Sequence, residues 1–224
     1  MRRLGMNKLS DYSFQRARMV REQIEARGID NPQVLEAMRN TPRHLFVPEN
    51  TASMAYADRP LPIGKEQTIS QPYIVAYMTQ CLRLRGGERV LEIGTGLGYQ
   101  AAVLSRIASE VYSMERFPDL ADKARELLAE LGYDNVYISC GDGTLGWPEQ
   151  APFEGIIATA SGPRVPDPLK EQLSYGGRIV MPVGSYRLGQ NIVRLTKGRE
   201  GRFQEENLLG VAFVPMVGEE GWQE

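Results

Sequence analysis

Hydrophobic and polar positions follow two rhythms along the chain. From residue 88 onward, short runs rich in Val, Ile and Leu at 88–93, 110–114, 135–140, 154–159 and 177–183 are separated by helix-spaced segments at 97–107, 117–131 and 167–174. Such alternation predicts a doubly wound α/β fold, a mainly parallel sheet with helices on both faces. A ligand site is then expected at the carboxyl ends of the strands, near the point where strand order reverses. The tail changes character: 190–197 and 203–215 read as strands with no helix between them, which predicts an antiparallel end to the sheet. Ahead of the sheet, residues 13–27 place Met19, Val20 and Ile24 on one helical face and stop at Gly28. Asn31 before Pro32 marks a second helix over 32–40, a capping side chain followed by proline at the first helical position. Pro72 opens a third helix over 72–84. The whole is read as one domain over 1–224: an N-terminal helical addition with a loop (1–87), a ligand-binding core (88–189) and terminal strands (190–224).

Composition narrows the function classes. The 224 residues carry a net charge of −2, which offers no general attraction for nucleic acid. Arg16, Arg18, Arg21 and Arg27 alternate with Glu22 and Glu25, the pattern of a solvated helix face. No apolar run approaches the roughly 20 residues of a bilayer-spanning helix. The opening MRRLGMNKLSDYS has charge but no following apolar block, so no secretory leader is expected and the cytoplasm is the expected compartment. Cys81 and Cys140 stand far apart and outside any metal-ligand spacing, so both are read as reduced, buried thiols. His44 is the one histidine, set in TPRHLFVP between two prolines; it is read as structural, and no metal site is expected.

Candidate chemistry gathers at the ends of the predicted strands. VLEIGTGLGYQ, residues 90–100, is a strand ending in Gly94, Gly96 and Gly98 before a helix. Glycines admit positive φ and remove the Cβ atoms that would block a nucleoside. This order also serves dinucleotides, but their fingerprint is GxGxxG, and GxGxG after the acidic Glu92 favours S-adenosylmethionine. YSMER sets Glu115 about 20 residues further on, where a carboxylate can accept from ribose hydroxyls. SCGDGTLGWP sets Asp142 between glycines, able to accept from an adenine amino group or simply to form a turn. LPIGKEQTISQPY, residues 61–73, is a polar loop before a helix start, suited to holding a carboxylate or closing over a ligand; Ser70 is also a candidate N-cap.

In this order, LPIGxxQTISQP, VLEIGTGxGYQ, SMER, GDGxxGWPxxAPF and GGRIVMPVG closely resemble the protein-L-isoaspartate O-methyltransferases, over nearly the whole chain from about residue 14. The resemblance implies the Rossmann-like fold of S-adenosylmethionine-dependent methyltransferases. It makes Ser70 the active-site serine and places Thr68, Ile69, Ser70, Gly94, Gly96, Gly98, Glu115, Asp142 and Gly143 around S-adenosyl-L-methionine. The implied substrates are isoaspartyl-containing proteins and peptides, methylated on the free α-carboxyl, with S-adenosyl-L-homocysteine as coproduct. The ester then closes to a succinimide, whose hydrolysis returns some normal aspartate. Two departures stand out: Lys65 and Glu66 replace a frequent His-Gly pair, and Leu97 replaces a serine common in bacterial members. FVPM at 213–216 resembles the family's FVPL segment on the substrate side. No metal and no nucleic-acid partner is implied, and a monomer is expected. The nearest enzymatic rival is another S-adenosylmethionine methyltransferase, acting on RNA or a small molecule; TASG at 159–162 lacks the N/D-PP-Y/F pattern common in amino-directed members, and a binding protein without turnover is the rival of a different class.

Overall fold

The computed structural model describes residues 12–185 and 187–223, so most of the opening segment read for a leader lies outside it. Helix α1 runs over 12–19 and continues through a π-helical turn, Val20–Ile24, and a 3-10 turn, Glu25–Arg27, to Gly28 at φ 89°. Met19, Val20 and Ile24 are all buried, while Arg18 and Arg21 bond Glu22 and Arg27 bonds Asp58 on the solvated side. Helix α2 is Pro32–Asn40, its start capped by the Asn31 side chain, which accepts from the N–H groups of Gln33 and Val34. The TPRHLFVP segment packs as expected. Its 3-10 turn Arg43–Phe46 buries Arg43, whose Nε donates to Ala55 O, and His44 stacks on Tyr12 with Nδ1 2.8 Å from the Tyr56 hydroxyl.

Residues 61–69 correct the expectation of a loop. Strands β1 (Leu61–Gly64) and β2 (Gln67–Ile69) form an antiparallel hairpin whose two turn residues, Lys65 and Glu66, both have positive φ, 52° and 58°. Leu61 and Ile63 are buried and Pro62 and Gly64 exposed, the alternation of a half-buried strand. Helix α3, Pro72–Leu82, follows and stops two residues short of its expected end, because Arg83 turns into the left-handed conformation. The N-cap of α3 is Gln71 without a side-chain bond, so Ser70 is not the cap.

The main sheet contains β3 (Arg89–Ile93), β4 (Glu110–Glu115), β5 (Val136–Cys140), β6 (Phe153–Ala158), β7 (Leu173–Ser185), β8 (Gly189–Lys197) and β9 (Phe203–Val211). They lie in the order β5-β4-β3-β6-β7-β8-β9, the first five parallel and the last two antiparallel to their neighbours. Order reverses between β3 and β6. The connecting helices α4 (Tyr99–Ser105), α5 (Pro118–Glu130) and α6 (Asp167–Glu171) match the expected segments in type but are shorter. For α4 the reason is local: Gly96 and Gly98, at φ 56° and 91°, hold the chain out of helix until Tyr99.

Three further readings change. Strand β7 begins at Leu173, touches β6 there, bulges through Ser174–Gly177 and rejoins at Arg178, so the expected helix tail at 173–174 is already sheet and Gln172 is the helix C-cap. Strand β9 ends at Val211, and the chain then leaves the sheet: Ser161 and Pro215 form a bridge and the Trp222 indole N–H bonds Ser161 O. Cys140 is exposed at the end of the edge strand β5; Cys81 is buried as expected, and both are free thiols. The N-terminal helices share one hydrophobic core with α3, α4 and one sheet face, and Leu91, Ile93, Tyr112, Met114 and Ile156 form the other.

Candidate active site

The crossover between β3 and β6 opens the sheet at their carboxyl ends, and the glycine turn sits there. A Cβ on Gly94 would collide with Thr159 Oγ1, which follows β6 and donates to Gly94 O at 2.8 Å. One on Gly96 would lie 2.9 Å from Ile63 Cδ1 of the β1–β2 hairpin. The two glycines therefore let Thr159 and Ile63, which also line the cleft, pack directly against the turn. Gly98 does different work: it caps α4 and lies against Leu128 of α5, where a Cβ would come within 2.9 Å of the Leu128 side chain.

Glu115 ends β4 beside this turn and is 5 % exposed. Its Oε2 accepts from Gly96 N at 2.8 Å and its Oε1 from Phe117 N at 3.0 Å, so the carboxylate is locked to the glycine turn with lone pairs left facing the cleft. Burial pushes its pKa up, opposed by the N–H groups of Phe117, Gly96 and Arg116. Behind it lies Glu92, fully buried. Ser113 donates to its Oε2 at 2.5 Å and Thr95 Oγ1 is 2.6 Å from Ser113 Oγ, while Oε1 has no partner. Burial above all raises its pKa to about 8, with the nearby charge of Glu115 adding to the shift.

Asp142 follows β5 and acts as a structural clasp. Its Oδ1 accepts from the Thr144 N–H and hydroxyl, capping the 3-10 turn Gly143–Leu145, and its Oδ2 accepts from Glu219 N at 2.8 Å. Burial opposes its ionisation, but the bonds from Glu219 and Thr144 outweigh it and hold the pKa below the usual carboxylate range. The neighbouring Gly143, packed on Ile93, is the part of this turn that lines the cleft.

These walls enclose connected spaces. A slot of about 70 Å³ runs between Ile63, Thr68, Gly94, Gly96, Glu115, Gly143 and Val214–Val217. A second, about 40 Å³, passes Ile69, Ser70, Leu97 and Tyr99. A broader groove of about 450 Å³ opens outward past Ser70, Gln71, Ile74 and 210–214. Thr68 and Thr159 border all three, and Ser70 stands where the second slot meets the groove. The structure thus brings Thr68, Ile69, Ser70, Gly94, Gly96, Glu115 and Gly143 to one cleft, with Gly98 and Asp142 in its supports.

Sequence reasoning missed three walls. Thr159 carries no motif of its own; only its place after β6, at the reversal of strand order, could have marked it. Ile63 belonged to the segment read as a loop. Val214 and Pro215 fall in the expected strand 203–215, and only the resemblance of FVPM at 213–216 points to this wall.

The donor set fits an S-adenosyl group: an acidic residue at the end of β4, glycines on both walls and a backbone turn at Gly143. Residues 14–221 match the family described as Protein-L-isoaspartate(D-aspartate) O-methyltransferase (PCMT). A protein-L-isoaspartate O-methyltransferase 2 from Pelobacter propionicus is 54 % identical over 214 residues, covering 96 % of this chain and 95 % of its own. The Methanoculleus marisnigri protein-L-isoaspartate O-methyltransferase is 56 % identical over 209 residues, 93 % of this chain and 94 % of its own. Among solved structures, a protein-L-isoaspartate O-methyltransferase superposes with TM-score 0.82 at 30 % identity, over 92 % of this chain and 67 % of that one. A beta-aspartate methyltransferase (PCMT) from Plasmodium falciparum, in complex with S-adenosyl-L-homocysteine, shares the fold at TM-score 0.76 and 23 % identity, over 90 % of this chain and 98 % of that one.

Proposed function

The chain belongs to the protein-L-isoaspartate O-methyltransferase family, and from that premise we propose how its residues divide the work. It is an S-adenosyl-L-methionine-dependent enzyme that methylates the α-carboxyl of L-isoaspartyl residues in damaged proteins, a repair reaction. The single observation behind the division is the position of Ser70, between the slot that holds Gly94 and Gly96 and the groove open to solvent.

Glu115 would hold the ribose hydroxyls and Gly94, Gly96 and Gly143 the backbone side of the cofactor, with Thr68 and Ile69 on its hairpin side. Asp142, three of whose acceptor directions serve Thr144 and Glu219, would act mainly by fixing the turn that presents Gly143. Gly98 would act by seating α4 on α5. When bound, the cofactor supplies an electrophilic methyl group on a sulfonium.

The acceptor carboxyl resembles a chain terminus, with a reference pKa of about 3.3–3.7, and is ionised at neutral pH. No general base is needed, in keeping with a cleft whose only nearby hydroxyls are unassisted by histidine: His44 is engaged with Tyr12 and Tyr56. The work of the protein is alignment, which can lower a barrier by about 7–11 kcal/mol. Ser70 would donate its O–H to the oxygen that is not methylated and point the other into the slot. It forms no covalent intermediate.

A monomer is the expected state, checked by light scattering. Among the described residues no helix is long and apolar enough to cross a membrane; the two free cysteines support the cytoplasm as the compartment. The deciding experiment is transfer of labelled methyl to an L-isoaspartyl peptide against its aspartyl twin. Base-labile label in the isoaspartyl peptide alone is expected, and Ser70→Ala should lower kcat at least tenfold while cofactor affinity stays within twofold. Label in both peptides, or in neither, overturns the assignment.

A further inference from the structure

Helix α3 packs on β6 and β7, while β8 and β9 carry the sheet beyond it. A shelf follows between the helix and the last two strands. It starts in the groove at Ser70, where Ile74 lies opposite Val211–Val214. It continues past Tyr77 of α3 and Leu208 of β9, both partly exposed and packed on the same core.

The far end of the shelf is strongly basic. Arg194 Nη1 approaches Cys81 O and Arg178 Nη1 approaches Leu82 O, each at 3.5 Å, and the exposed Arg83 and Arg85 follow directly. Cations at the carbonyl end of a helix have a structural use, since they offset its partial negative charge. That use accounts for Arg178 and Arg194, whose guanidinium groups meet the carbonyls. It does not account for Arg83, which takes the left-handed cap position at φ 54° where glycine is the low-strain residue. Glu206 is bound three times by Arg194 and neutralises that arginine. Among the described residues no carboxylate comes within ion-pair distance of the Arg83, Arg85 or Arg178 guanidinium; Glu88 accepts from the Arg85 backbone N–H, and Glu206, held by Arg194, feels Arg83 and Arg178 from further off. Arg178 feels the surplus: after burial, the charges of Arg83, Arg194 and Arg85 lower its pKa, opposed by Glu206. A concentration of positive charge in a chain of net charge −2 is a local feature, not a global one.

We infer that this arginine group is a second contact for the substrate polypeptide and receives acidic residues flanking the isoaspartyl site. The inference rests on the acceptor carboxyl binding at Ser70. The groove is continuous with the shelf, and the charges at its end are of the sign that acidic side chains complement. Spacing follows from geometry. The 11 residues of α3 span about 16 Å at 1.5 Å each, and an extended chain covers that distance in about five residues. An acidic pair about five residues from the isoaspartyl residue, on one side of it, would reach Arg83, Arg85 and Arg178.

The test compares isoaspartyl peptides of about 14 residues with Asp-Asp or Asn-Asn placed five residues before or five after the modified residue, and a six-residue peptide without flanks. In low salt, Asp-Asp on one side is expected to lower KM about threefold to tenfold relative to Asn-Asn, the size two or three half-exposed ion pairs supply. The gain should vanish in 0.5 M salt, where the Debye length is about 4 Å. R83G, which suits the left-handed backbone, combined with R85S should abolish the gain and leave KM for the six-residue peptide unchanged. R85E alone should raise KM for the acidic peptide. Equal KM for Asp-Asp and Asn-Asn on both sides, or a preference that survives R83G/R85S, overturns the inference while leaving Ser70 in place. Failure to methylate even the six-residue peptide would instead remove the Ser70 premise, and this contact with it.

Discussion

Two carboxylates at the base of the cleft, Glu92 and Glu115, differ because of what surrounds them. Glu115 meets backbone N–H groups on both oxygens and faces the cleft; Glu92 meets one serine and keeps an oxygen unpartnered. Removing Glu115 should therefore act on binding. Glu115→Ala is expected to weaken S-adenosylmethionine affinity about tenfold to a hundredfold, since a hydrogen bond to a charged group contributes about 1.5–3 kcal/mol. Calorimetric titration showing unchanged affinity would end the ribose assignment. Glu92 acts on stability instead. Its folded pKa, about 8, lies above the ordinary value of 4.5, so between those values the unfolded chain releases a proton that the folded chain retains. Stability from this group is complete below about pH 4.5, falls by about 1.4 kcal/mol per pH unit as pH rises, and is lost once pH passes the folded value. Glu92→Gln keeps an acceptor for Ser113 and removes the titration. Its melting temperature should match the parent near pH 4.5 and exceed it increasingly toward pH 8; parallel curves across that range would refute the account.

The β1–β2 hairpin is the element that the hydrophobic pattern left least legible. Its alternation is present in Leu61 and Ile63, but the turn is Lys65-Glu66 rather than Asn-Gly, so the usual mark of a two-residue hairpin with both residues at positive φ is missing. Tertiary contact compensates: Lys65 Nζ reaches Asp119 Oδ2 at 2.9 Å, pinning the tip to the first turn of α5, and Ile63 packs over Gly96. Glu66→Gly should relieve the left-handed strain and stabilise the protein by up to about 1 kcal/mol, a rise of about 2–4 °C in Tm. A fall in Tm would show that Glu66 contributes a contact that outweighs the strain. By contrast, the β3, β4 and β6 strands and α2 were legible almost to the residue, because apolar runs, Asn31 and Pro32 act within a few positions of where they stand.

At the scale of the molecule, the cleft is closed by chain that arrives last. Beyond β9 the segment through Val217 crosses the carboxyl ends of the strands. It is tied to Ser161 after β6 and, through Glu219, to Asp142 after β5. Asp142→Ala cuts the second tie and the Thr144 cap together. Hydrogen exchange should then rise in residues 214–222 and not in β8; unchanged protection of 214–222 would mean that the remaining ties, Ser161 with Trp222 and Glu220 with Thr144 and Arg164, hold the segment without Asp142.

What the sequence determined by itself was local: the alternation that makes the sheet, the glycines at 94 and 96 that leave the turn without Cβ atoms, the strand end that delivers Glu115, and, through resemblance, the role proposed for Ser70. Each depends on residues within about a turn or a strand of one another. Tertiary structure decided which distant pieces share a wall. Ile63, Thr159 and Val214–Val217 meet around Gly94 and Gly96 only because strand order reverses between β3 and β6 and the tail returns across that reversal. The same convergence buries Glu92, leaves Cys140 exposed and turns Asp142 into a clasp. Local sequence sets periodicity and backbone freedom, whereas burial and partnership depend on what the rest of the chain brings alongside.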